Sequence, residues 1–88
     1  MNTPMFNCLV AVTTPNDPWK YSALVVVGQD GKDTYKVAQV EPATLEVSKE
    51  TRSIHKMRLT TIAPAPGAVR TQAAELYFKL FGTEMIYI

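Results

Sequence analysis

The chain has 88 residues, with 9 Lys and Arg against 8 Asp and Glu for a formal charge of +1, and it is 47% hydrophobic and 19% charged. This is the composition of one globular domain spanning 1–88, and no apolar run approaches the roughly 18 residues that a membrane-spanning helix needs. A single cysteine excludes an internal disulfide, Met1 to Phe6 has no basic leader region, and a near-zero charge lacks the basic excess of a dedicated nucleic-acid module, so a cytoplasmic, intracellular protein is expected.

Met5 to Thr14 is rich in β-favouring residues and stops at the turn cluster Pro15-Asn16-Asp17-Pro18, which predicts a first strand. Trp19 to Gly28 reads as a second strand. Asp30-Gly31 then supplies a hairpin turn, because glycine tolerates a positive φ, and Thr34 to Glu41 forms the return strand up to Pro42. From Ala43 to Ile62 the period is two on both sides of a polar connection, Lys49 to Ser53. That pattern predicts a second hairpin rather than a helix, since Leu45, Val47, Ile54 and Met57 make no clean 3.6-residue stripe.

Pro64-Ala65-Pro66-Gly67 breaks the pattern before a helix over about 67–81. Val69, Ala73, Leu76 and Leu80 share one face, widened by Tyr77 and Phe81, while Arg70, Gln72, Glu75 and Lys79 take the other, and Gly82 is placed for a left-handed cap. Thr83 to Ile88 reads as a last strand. The expected class is therefore α+β, in the order β-β-β-β-β-α-β: a mainly antiparallel, curved sheet of five to six strands with one amphipathic helix on its concave face.

Three of these strands are apolar on both faces, which calls for cover on both. A helix of this length is roughly 22 Å long and 10–12 Å wide, and strands lie 4.7–4.9 Å apart, so it shields about two or three strands on one side. Cover for the second face would then come from outside, which favours a homo-oligomer, a dimer first, or else a protein partner. The segment Met85, Ile86, Tyr87 and Ile88 adds to this expectation, because an unprotected apolar edge invites pairing.

Motifs for chemistry are sparse. His55 is the one histidine. Ser22, Ser48 and Ser53 could in principle join it, but no G-x-S-x-G elbow is present. Cys8 lies in an apolar strand without a C-x-x-C partner, Asp30 and Asp33 read as turn formers, and no glycine-rich phosphate loop exists. No catalytic, metal or cofactor residues are assigned, and no enzymatic activity is expected. One charge feature stands out: Lys49, Arg52, Lys56 and Arg58 surround Glu50 alone, with His55 beside them. These five residues are the candidate contact for a partner or for phosphate backbone, with Tyr21 or Tyr35 available for base stacking.

The expected function is that of a small, self-associating interaction protein, an adaptor or inhibitor that works by binding rather than by chemistry. In size and shape it resembles accessory proteins of phage or mobile elements. Nucleic-acid binding through the basic 49–58 hairpin is the alternative, and a small-ligand or enzymatic role at a subunit interface is a third.

Overall fold

The computed structural model describes residues 8–82. Strands β1 (Cys8–Val12), β2 (Ala23–Gln29), β3 (Thr34–Val40), β4 (Val47–His55) and β5 (Leu59–Pro64) precede helix α1 (Gly67–Phe81). All neighbours pair antiparallel, in the order β4-β3-β2-β1-β5. The α+β class with one helix on the sheet is as the sequence implies. The strand expected over 83–88 lies outside the described residues. No helix among the described residues is long and apolar enough to cross a membrane.

The β2–β3 hairpin turns through Asp30 and Gly31 as expected, with Gly31 at φ 91°. The second predicted hairpin is corrected. Residues 43–62 do hold two strands, but β4 and β5 occupy opposite edges of the sheet and do not pair. Lys49 to Ser53 is no connection; it runs inside β4, and the chain reverses instead through a single 3-10 turn, Lys56–Arg58. The polar run misleads because β4 is an edge strand. Its register with β3 slips between the Ala38–Thr51 and Val40–Val47 pairs, and a bulge there carries Ser48, Lys49 and Glu50 without needing apolar alternation. The second strand is also shorter than predicted: Trp19 and Tyr21 belong to a string of turns over 13–22.

Strand order and turn length together dictate how the sheet folds. His55 pairs with Thr34, at the start of β3, whereas Leu59 pairs with Val12, at the end of β1. In a flat sheet these positions would be diagonal corners, with about 19 Å of interstrand spacing alone between the edges. Four peptide units reach at most about 15 Å. The ribbon must therefore coil across itself, and backbone bonds pin the bridge at both ends: Lys56 N–H to Asp33 O (2.8 Å) and Thr13 N–H to Arg58 O (2.8 Å).

Coiling gives the sheet an inner and an outer face. Val10, Val12, Leu24, Val26, Tyr35, Val37, Ile54 and Leu59, drawn from all five strands, form one buried cluster inside, with Cys8 and Trp19 packed against it. Val25, Val27, Ala38 and Val40 form the second cluster outside, closed by Ala65 and by Val69, Ala73 and Leu76 of α1. The helix thus lies on the convex side, not in the concavity. In β2 both faces are buried by the chain itself, and in β1 Val10 and Val12 are buried while Leu9 and Ala11 are half-buried, so β2 does not call for outside cover.

Helix and sheet meet closely at one residue. The β2–β3 register slips between Val26 and Gly28, so Val27 and Gly28 both face α1. A Cβ at Gly28 would lie 2.5 Å from the Tyr77 ring, which stacks at 4.5 Å on Phe81. Gly82, at φ 70°, caps the helix as predicted, donating its N–H to Phe78 O. Two helix positions depart from expectation. Leu80 is exposed, and Gln72 is turned toward the sheet rather than to solvent. Gln72 Nε2 donates to Leu45 O (2.8 Å) and its Oε1 accepts from Val47 N–H (2.9 Å), holding the β3–β4 turn in which Leu45 sits at φ 59°.

Candidate functional site

The five basic-run residues are engaged in different ways. Arg52 is half-buried, and its two guanidinium nitrogens donate to the two carboxylate oxygens of Asp17 at 2.8 and 2.9 Å. The same guanidinium lies 4.8 Å from the centre of the Trp19 ring, and Trp19 N–H donates to Asp17 Oδ1 at 2.8 Å. This set latches the 13–22 connection onto β4. The Arg52 bonds, and after them the Trp19 N–H, hold the Asp17 carboxyl down at about 2, and the same bonds raise Arg52.

Lys56 is engaged as well, in an ion pair with Asp33 at 3.1 Å. His55 ends β4, where its Nδ1 accepts from Met57 N–H (3.1 Å) and caps the 3-10 turn. Lys49 lies in the β4 bulge and Arg58 at the other end of the turn, both exposed and without an ion pair among the described residues. Of the two tyrosines considered for stacking, Tyr35 is buried in the inner cluster. The interface candidates Met85, Ile86, Tyr87 and Ile88 lie outside the described residues.

The serines have other partners than His55. Ser22 Oγ accepts from Gln39 Nε2 (2.9 Å), Ser48 Oγ accepts from Glu50 N–H (3.2 Å), and Ser53 Oγ donates to Asp30 Oδ2 (2.5 Å) while accepting from Lys36 Nζ (3.2 Å). That Ser53 bond lowers Asp30, with Lys36 at 3.6 Å contributing after it. A carboxylate so stabilised is a poor base for activating the serine, so this trio reads as a brace between the β2–β3 turn and β4. Cys8 is half-buried. Among the described residues, no three His, Cys, Asp or Glu side chains gather into a metal-binding group.

What the structure does build is an open groove of about 490 Å³ where β2 begins, β3 ends and β4 begins. Ala23, Val40 and Val47 form apolar wall, Glu41 and Glu46 are exposed carboxylates, and Tyr21 is 96% exposed. Neither glutamate makes an ion pair among the described residues; Glu41 Oε1 accepts only the Ala43 N–H of its own turn. Comparisons with protein-family models, curated proteins and solved structures return no match. The groove escaped sequence reasoning because Tyr21 and Glu46 lie far apart in the chain. The available signal was two glutamates flanking a Pro42 turn with no basic residue between them.

Proposed function

We propose that this chain is a small binding module that works through protein contact, as an adaptor or an occluding inhibitor, and that the Tyr21 groove is its contact surface. The observation that carries this reading is the pairing of a fully presented aromatic with two glutamates that take part in no ion pair among the described residues. Three ion pairs among the described residues serve as internal braces, Asp17 with Arg52, Asp33 with Lys56, and Asp30 with Lys36, and the two groove carboxylates take part in none of them. Such a groove suits an apolar side chain flanked by positive charge, since aromatic anchors dominate interface energetics and a rim of one sign selects partners of the other. The nucleic-acid reading is not carried forward, because two of its four cations, Arg52 and Lys56, are already paired.

The test compares the wild type with a groove variant, Tyr21→Ser with Glu41→Gln and Glu46→Gln, immobilised and exposed to extract from the native host. The wild type is expected to retain protein that the variant loses, at unchanged thermal stability. Identical captured sets would overturn the proposal.

A further inference from the structure

Tyr21 and Met57 are the two most exposed large apolar side chains among the described residues, at 96% and 81%. Their electrostatic surroundings are opposite. Tyr21 borders the groove that carries Glu41 and Glu46. Met57 is the middle residue of the 3-10 turn, between Lys56 and Arg58 and after the exposed His55. Because Asp33 offsets Lys56, Arg58 is the cation that this tip presents without an ion pair among the described residues.

We infer that the Met57 tip of one copy of this chain docks into the Tyr21 groove of a second copy. The inference rests on the reading of the groove as a contact surface and names its occupant. The charges are complementary in sign. The unbranched methionine side chain adapts to an irregular groove and packs well against an aromatic ring. The tip cannot fill the groove of its own copy: His55 and Val47 are opposite ends of β4, up to roughly 25 Å apart along an extended strand. Each copy therefore keeps one groove and one tip.

This contact joins two different patches, so it closes reciprocally into a two-fold dimer, each tip in the other copy's groove, or runs head-to-tail into a ring or short chains. A surface centred on one tip and one groove is small, which places the association in the transient class and makes it sensitive to salt.

Two variants separate the halves of the contact. The groove variant, Tyr21→Ser with Glu41→Gln and Glu46→Gln, keeps an intact tip. The tip variant, Met57→Ser with Arg58→Gln, keeps an intact groove. All five residues are exposed, and circular dichroism and melting temperature verify folding. In sedimentation experiments over the micromolar range at low salt, the wild type is expected to show a mean mass that rises with concentration and falls back at high salt. Each variant alone stays at monomer mass. An equimolar mixture forms a one-to-one species and nothing larger, because one competent tip meets one competent groove.

A wild type that remains monomeric, a mixture of folded variants that does not pair, or a variant that associates like the wild type overturns the inference. If the wild type is monomeric while the groove variant still loses captured protein, self-docking fails and the groove reading stands. If the groove variant changes neither measurement, both fail.

Discussion

Trp19 and Tyr21 stand two residues apart in one connection, and their surroundings are opposite. Trp19 packs on the inner cluster beneath the Arg52 guanidinium, its backbone N–H held by Asp17. Tyr21 projects into solvent beside a groove. The first aromatic belongs to stability and the second, on the proposed reading, to contact. The charges divide in the same way: Arg52, Lys56, Asp17 and Asp33 close the fold, while Glu41, Glu46 and Arg58 are left outside those pairs. A basic run in sequence is therefore not a basic surface until its long-range partners are known.

Trp19→Ala sharpens this contrast most. Removing a half-buried indole from the inner cluster is expected to cost about 2 kcal/mol, less than for a fully buried aromatic, measured as a fall in the urea midpoint. Gln72→Ala comes next, at about 1–2 kcal/mol, because Leu45 O and Val47 N–H both lose a partner. Protection of the 43–47 amides against hydrogen exchange should drop with it.

Acid weakens the latch. Asp17 falls from 3.8 to about 2 in the folded chain, so its contribution is fully present above the unfolded value and is lost as pH falls from about 4 toward 2. Asp17→Asn should lower stability at neutral pH and flatten that acid limb. It would leave the smaller slope contributed by Asp30, which is lowered in the same direction. The smallest effect belongs to Tyr21→Ser, expected within about 0.5 kcal/mol of the wild type. If Tyr21→Ser destabilises as much as Trp19→Ala, the division between the two aromatics collapses.

What was legible in the sequence was what neighbours in the sequence determine. Val69, Ala73 and Leu76 with the Gly82 cap define α1, and Asp30-Gly31 defines the β2–β3 turn. The pairing of β4 was not legible, since an edge strand with a bulge tolerates Lys49 and Glu50 where a central strand would alternate. Which face α1 covers was not legible either: it depends on the coil imposed by the short β4–β5 bridge, not on any property of the helix. At the candidate site, the basic run is visible as a string of letters. Its neutralising partners, Asp17 and Asp33, arrive from turns elsewhere in the chain, and no local pattern announces them.

The bridge over Lys56–Arg58 also orders the folding reaction. β2 meets β3 across a tight turn, and β4 follows β3 directly, whereas Val12 finds Leu59 only after most of the intervening chain is in place. Closing a long loop before its contacts form is entropically slow. The β2–β3–β4 meander is thus the expected nucleus, with β5 zipping onto β1 late. Truncating Val26 or Val37 should slow folding, whereas truncating Leu59 should leave the folding rate nearly unchanged and speed unfolding. Stopped-flow chevrons of these three variants would place β5 before or after the barrier.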